Sequence, residues 1–280
     1  LDLTGCTGMV TLDAKNNELT TLDLSTNDNL ATLLLEGNDL TSIDVTNNSN
    51  LAYLRVHSNG LTSIDLSSNP LLNHLNLYNN DLTTLDLSNN PLLTYLNLSS
   101  NDLTTLDVSD NPLLIQLHAN SSGLTTMDVS SNDSLTHLYL ESNSLASITG
   151  LSNNTSLTYL RLKYNELTSL DLSGCTSLRD PQVYGNNLSS LDLTGCTEIV
   201  QLSASNNELT TLDLSTNDSL VTLVLEGNDL TSIDVTDKPN LAYLRAHGNG
   251  LTSIDVSNNP LLTYLNFNSN DLTTLDVSNN

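Results

Sequence analysis

A leucine-rich pattern with a 21-residue period runs the length of this chain and restricts what it can fold into. Blocks of 21 start at Leu1, Leu22, Ile43, Ile64, Leu85, Leu106, Met127 and Ile148. One extra residue then enters, and blocks resume at Leu170, Leu191, Leu212, Ile233, Ile254 and Leu275. That makes thirteen coils and the start of another. A single coil of this size cannot bury its own leucines, whereas stacked coils bury them in one continuous core.

The clearest block carries Leu93, Leu96, Leu98, Asn101, Leu103, Leu106 and Val108. Its first half reads L-x-x-L-x-L-x-x-N-x-L, and its second half nearly repeats the first. This nested form resembles the bacterial 21-residue leucine-rich-repeat class called IRREKO, with consensus LxxLxLxxNxLxxLDLxxN. It is also similar to the repeat region of listerial internalins. The resemblance covers essentially all 280 residues. It implies a leucine-rich-repeat solenoid whose first strand in each coil forms the usual ligand face.

The pattern predicts two short strands per coil, such as residues 95–99 and 105–109, stacked as two parallel ladders about 4.8 Å between coils. Alternation turns Leu96, Leu98, Leu106 and Val108 inward. With two strand-like sides and no room for a helix, the expected solenoid is nearly straight or gently curved. Leu19, Leu40, Leu61, Leu82 and their equivalents are Leu in all thirteen blocks and anchor the corner between the strands. Asn recurs two residues before this leucine, at 17, 38, 59, 80, 101, 143, 165, 186, 207, 228, 249 and 270, with Ser122 as the exception. Inward Asn side chains there would pair with corner backbone groups that are otherwise buried unpaired. A second Asn row holds 27, 69, 90, 111, 132, 154, 217 and 259, and Cys6, Cys175 and Cys196 replace Asn in it. The cysteines are expected to be free thiols doing the work of Asn.

The reading of domains is a single solenoid over residues 1–280, cut from a longer array, with irregular coils at 148–190. Residues 1–90 align with 191–280 at an offset of 190, and 69 of 90 positions match. The expectation of a longer array includes end-to-end association through uncapped coils, whose strand edges would be open. In the irregular stretch Thr149 replaces an otherwise regular Asp, and Pro181 replaces Leu. Proline has no N–H to donate, so this strand is expected to bulge or stop. Arg179, Asp180, Gln182 and Tyr184 either line a local notch or mark a scar of the duplication.

The formal charge is -25, from 32 acidic and 7 basic residues. Such a chain is a poor partner for nucleic acid, whose phosphates need a basic face. No apolar run of about 18 residues is present, so no transmembrane span is expected. Catalytic signatures are missing too: no G-x-S-x-G, H-E-x-x-H, C-x-x-C or phosphate-binding loop occurs. The chain is therefore read as a non-enzyme without a cofactor.

What remains is recognition. The first-strand face gathers all nine tyrosines, all five histidines and six of the seven basic residues. The candidate ligand residues are Tyr53, Arg55, His57, His74, Tyr78, Tyr95, His118, His137, Tyr139, Tyr159, Arg161, Tyr243, Arg245, His247 and Tyr264. Tyr and Arg supply stiff contact area and directed hydrogen bonds. The competing explanation is that large side chains simply tile a sheet face. Arg55, His57 and Tyr53 recur as Arg245, His247 and Tyr243, a triplet suited to a carboxylate or a sugar, or else carried along with the duplication. The other strand repeats Asp at its centre, at 2, 23, 44, 65, 86, 107, 128, 171, 192, 213, 234, 255 and 276. Carboxylates one strand apart should repel and raise some pKa values, with neighbouring hydroxyls offsetting this. This row reads as a solvated face. Alternatives are a Ca²⁺-sensitive surface at Asp23, Asp44, Asp65, Asp86 and Asp107, or a lattice matched to ice or a calcium mineral. The leading expectation is an extracellular or cell-surface bacterial module that binds a protein or glycan. A structural spacer or filament segment is its first rival.

Overall fold

The computed structural model describes residues 1–278 and residue 280. It divides into two compact units, Leu1–Asn143 and Ser144–Asn280. Both are parallel-strand solenoids with coils of about 21 residues.

In the first unit the first-side strands are β1 (Thr11–Asp13), β2 (Thr32–Leu34), β3 (Tyr53–Arg55), β4 (His74–Asn76), β5 (Tyr95–Asn97), β6 (Gln116–His118) and β8 (His137–Tyr139). Each pairs in parallel with the next one along, in a constant register such as Tyr53↔His74, Leu54↔Leu75 and Arg55↔Asn76. The central residue of each strand is apolar and buried, and its two neighbours face outward. The three-residue strands are shorter than expected, although bonds to the next coil continue past them, from Leu98 N–H to His118 O and from Ser100 N–H to Asn120 O, up to the left-handed Ser100 before Asn101.

The second unit repeats the plan with β10 (Tyr159–Arg161), β12 (Asp180–Gln182), β14 (Gln201–Ser203), β15 (Thr222–Val224), β16 (Tyr243–Arg245) and β17 (Tyr264–Asn266). Its inserted residue is absorbed by Gly150 in the left-handed region and a single 3-10 turn, Leu151–Asn153. Pro181 neither bulges nor stops its strand. β12 keeps all three pairs with β10, from Tyr159↔Asp180 to Arg161↔Gln182. It pairs with β14 only at Gln182↔Ser203. The missing N–H thus removes pairing on one side of the strand and leaves the other side intact.

The second side of the coil is regular β only in short stretches: β7 (Thr126–Asp128) in the first unit, and β9 (Ser147–Thr149), β11 (Ser169–Asp171) and β13 (Ser190–Asp192) in the second. Elsewhere, among the described residues, this side is not paired as β. The Asp23 Oδ1 accepts the backbone N–H of Ser25 at 2.9 Å, and Asp65 does the same for Ser67. The same bond is made beside β7, β11 and β13, by Asp128, Asp171 and Asp192, so it does not separate the paired coils from the others.

The corner leucines Leu40, Leu61, Leu82 and Leu103 are fully buried, as are Leu188, Leu209 and Leu230 in the second unit. Burying each one contributes about 1.5–3 kcal/mol. The first Asn row is fully engaged. Asn38 Nδ2 donates to Ala14 O and Leu35 O, and its Oδ1 accepts the N–H of Leu19 at 3.0 Å. The second row, which also includes Asn48, is half engaged. Asn69 Nδ2 donates to Val45 O and Asn48 O, while its Oδ1 is buried without a partner. Cys196 and Cys175 are free thiols in this row. Their Sγ atoms donate to Leu172 O and Leu151 O, so each takes over one of the two bonds an Asn makes. Lys238 also occupies a rung of this row, with only 2% of its side chain exposed.

Candidate functional site

The parallel register places like positions of successive coils side by side, so outward residues form columns. In the first unit one column contains Tyr53, His74 and Tyr95. Tyr53 and His74 stack with centroids 4.0 Å apart and planes 3° from parallel, and His74 stacks on Tyr95 at 4.3 Å and 6°. The array continues less regularly through His118, tilted against Tyr95 at 5.5 Å, and Tyr139, edge-on to His118 at 4.7 Å and to His137 at 5.9 Å. Tyr78 lies 6.1 Å from His57. Parallel strands bring these rings within contact distance, and stacked or edge-on pairs add stability beyond buried area.

Stacking has an electrostatic consequence. Burial pushes His74 down to about 4, helped by the positive charge of Arg55. Burial pushes His118 to about 4 as well, with His137 adding to the effect. His57 and His137 are also held below the ordinary imidazole range, chiefly by burial. These four rings are therefore neutral at pH 7, each with one N–H and one acceptor nitrogen, of which His57 spends both on Arg55 and Ser58 and His137 spends its Nδ1 on Thr136.

Arg55 and His57 do meet, with Arg55 Nη2 at 3.2 Å from His57 Nε2. The carboxylate that Arg55 holds is the chain's own: Glu36 of the preceding coil lies 3.3 Å away and is nearly buried. The second unit repeats the arrangement. Arg245 contacts Glu226 at 2.6 Å, and His247 contacts the same carboxylate at 3.3 Å. Tyr243 stacks on Tyr264 at 4.4 Å. Sequence reasoning missed Glu36 and Glu226. The available signal was their outward position one coil before each Arg, in both copies of the duplication.

Tyr159 and Arg161 flank Leu160 on β10. Near them, Tyr164 and Tyr184 meet edge-on at 5.2 Å, and Lys163 Nζ stands 5.7 Å from the Tyr184 ring centre.

The Asp row has no raised member among its shifted groups. Asp23, Asp44 and Asp65 lie below the usual carboxylate range because the hydroxyl and N–H of Ser25, Thr46 and Ser67 bond to them. Asp86 and Asp107 are lowered in the same way, first by the N–H and then by the hydroxyl of Ser88 and Ser109. Repulsion from Asp23 and Asp65 does act on Asp44 but is outweighed. Grooves form along this side, one lined by Thr105, Asp107, Thr126, Asp128 and Ser130 and another by Ser169, Asp171, Ser190 and Asp192. Among the described residues no group of three or more His, Cys, Asp or Glu is placed to hold a metal ion.

No protein-family model matches the chain, and no curated protein sequence does. Solved structures do. The functional domain of InlJ from Listeria monocytogenes, which includes a cysteine ladder, superposes with a TM-score of 0.77 at 33% identity. That match covers 98% of this chain and 66% of the other, just under two thirds of its length. The chain is a leucine-rich-repeat protein similar to the internalins. A leucine-rich-repeat protein of Leptospira interrogans matches with a TM-score of 0.82 at 26% identity, over 94% of this chain and 73% of its own. An internalin, InlF, of L. monocytogenes shares the fold, with a TM-score of 0.81 at 22% identity over 98% and 85% of the two chains. No helix of this leucine-rich-repeat protein, among its described residues, is long and apolar enough to cross a membrane.

Proposed function

We propose that this protein is an extracellular binding module whose first-strand face docks a protein ligand. One observation carries the reading: the side chains suited to recognition are confined to that face and fixed against one another there. The second side repeats Thr, Asp and Ser with little change, although folding would tolerate Tyr on it equally well. Stacked solenoids generate extended surfaces of the kind that bind partners.

The stack itself favours protein over glycan. Both faces of His74 are occupied, by Tyr53 and Tyr95. A sugar ring has no free face of that imidazole to lie on, whereas ring edges, hydroxyls and neutral imidazole nitrogens suit a protein surface. Pre-fixed aromatics also lose less conformational entropy on binding.

The test is an array of extracellular proteins and glycans probed with the whole chain, in Ca²⁺ and in chelator. A Tyr53→Ala/Arg55→Ala/Tyr243→Ala/Arg245→Ala variant is run beside it. A protein hit lost in the variant supports the reading. A hit that survives the variant but disappears in chelator moves the site to the Asp row. No hit in either buffer leaves the spacer role, which the 1–90/191–280 duplication favours.

A further inference from the structure

Every first-side strand leads into a turn with one residue in the left-handed region. In the first unit these residues are small or Asn throughout, from Asn16 and Gly37 to Ser142. The second unit follows the rule at Gly185, Asn206, Gly227, Gly248 and Ser269, and breaks it at Tyr164, whose φ is +58°. A bulky residue there is a true outlier, and such strain gathers at binding sites. Burial does not offset it, since Tyr164 is 56% exposed.

Tyr164 packs against the glycine one coil on, as Asn16 and Asn206 pack against Gly37 and Gly227. A Cβ on Gly185, one coil on, would come 2.8 Å from Tyr164 Cδ1. The Tyr184 ring braces Tyr164 at 85° between planes. Cations gather in the same two coils. Residues 159–184 hold Arg161, Lys163 and Arg179, three of the chain's seven basic residues, along with Tyr159, Tyr164 and Tyr184, and their three acids, Glu166, Asp171 and Asp180, bring the stretch to neutrality in a chain of charge -25.

We propose that this surface of the second unit binds an acidic saccharide, with a pyranose ring on the exposed Tyr164 ring and its carboxylate or sulfate against Arg161, Lys163 or Arg179. The face of an aromatic ring is electron-rich and attracts the weakly positive C–H groups of a sugar. Guanidinium groups pair with carboxylate and sulfate in a matching fork. An acidic peptide would use the cations but has no need of a strained, exposed ring. In a chain of charge -25 an anion is repelled at long range, so contact with the ring must contribute. The site shares the first-strand face with the proposed function but none of the four residues altered in its test.

The experiment titrates the whole chain with hyaluronan- and heparin-derived octasaccharides, a dextran oligomer and an oligoglutamate peptide. At least one anionic sugar should bind, dextran should not, and the peptide should bind about tenfold more weakly or worse. Tyr164→Asn should weaken sugar binding about tenfold or more without lowering Tm, because Asn accepts the left-handed region at less cost. Tyr164→Phe should keep both binding and Tm. The variant altered at Tyr53, Arg55, Tyr243 and Arg245 should still bind the sugar, which separates failure of this site from failure of the protein-docking face. The proposal is overturned by any of four results: neither anionic sugar binds, the peptide binds equally well, Tyr164→Asn leaves affinity unchanged, or Tyr164→Asn lowers Tm along with affinity.

Discussion

Tyr53 lies flat on His74, 4.0 Å between ring centres and 3° from parallel, and this contact ties the candidate binding face to the stability of the solenoid. His74 in the folded chain takes a proton only near pH 4, against 6.5 for an unperturbed imidazole. The unfolded chain therefore binds the proton first as pH falls. Stability contributed by neutral His74 is complete above pH 6.5 and is lost progressively down to about 4. His118 acts in the same window and direction. The bonded Asp carboxylates, lowered from 3.8, act only at still lower pH. Thermal unfolding measured from pH 7.5 to 4 should show Tm falling, and His74→Phe should flatten part of that slope while keeping a ring in the stack. An unchanged slope in the variant would mean His74 protonates freely while stacked.

The two Asn rows should differ in sensitivity. Asn101 accepts the Leu82 N–H and donates to Leu77 O and Leu98 O, so Asn101→Ala leaves the buried Leu82 N–H unpaired and removes one of two donors from each carbonyl, which keep Asn80 Nδ2 and Ser122 Oγ. The expected loss is about 3 kcal/mol or more. Asn90 donates to Leu66 O and Asn69 O but its Oδ1 has no partner. Asn90→Cys keeps one donor and removes the orphaned acceptor, as Cys196 does, at a cost of about 1 kcal/mol. Urea midpoints decide between them, and equal losses would contradict the assignment of the two rows.

Lys238 occupies the rung that Asn48 fills in the other copy. Asn48 Nδ2 donates to Leu24 O and Asn27 O, whereas Lys238 sends its ammonium out to Asp218 Oδ1 at 3.1 Å and Asp237 O at 3.4 Å. Asp218 is largely solvent-exposed, so the pair recovers little of the cost of confining a charge. Lys238→Asn is expected to stabilise the protein by about 1 kcal/mol. Asp218→Asn should destabilise the parent and leave the Lys238→Asn background nearly unaffected. A double-mutant cycle in urea measures both.

Thiol chemistry gives a quick check of the stacking. Cys6 is exposed, while Cys175 and Cys196 are buried. Burial pushes Cys175 up to about 12 and Cys196 up to about 11. A thiol-reactive dye at pH 8 should label Cys6 rapidly and the other two only on unfolding. Fast labelling of all three in the native state would place Cys175 and Cys196 outside the core.

The parts of this fold that were legible in the sequence are those where burial dictates side-chain type. Leu103 and its equivalents, the Asn101 row and the inward alternation of Leu96 and Leu98 all follow from that demand. The second side was harder. Asp23-x-Ser25 has the same alternation and the same Asp-to-Ser bond as Asp128-x-Ser130 beside β7, so nothing in the pattern separates paired coils from unpaired ones. The columns of the candidate site were legible from the period, but their internal pairings were not. Arg55 meets Glu36 across 19 residues, and nothing local to either marks the partnership. Tyr164 reads as one more outward Tyr until its φ is known.

Pro181 supplies the last prediction. It is buried in a position that Leu160 and Leu202 fill on either side, and it lacks the N–H that would bond toward β14. Pro181→Leu adds that donor in a site that already accepts leucine in the neighbouring coils. The unfolded chain gains freedom, which opposes the change by about 0.4–1 kcal/mol. The recovered bond and the larger apolar side chain should outweigh this, for a net gain of about 1 kcal/mol. The decisive measurement is amide hydrogen exchange at Val183 and Leu202 together with the urea midpoint. Slower exchange with a higher midpoint supports the one-sided loss of pairing. Faster exchange or a lower midpoint would mean that the coil is built around the proline ring.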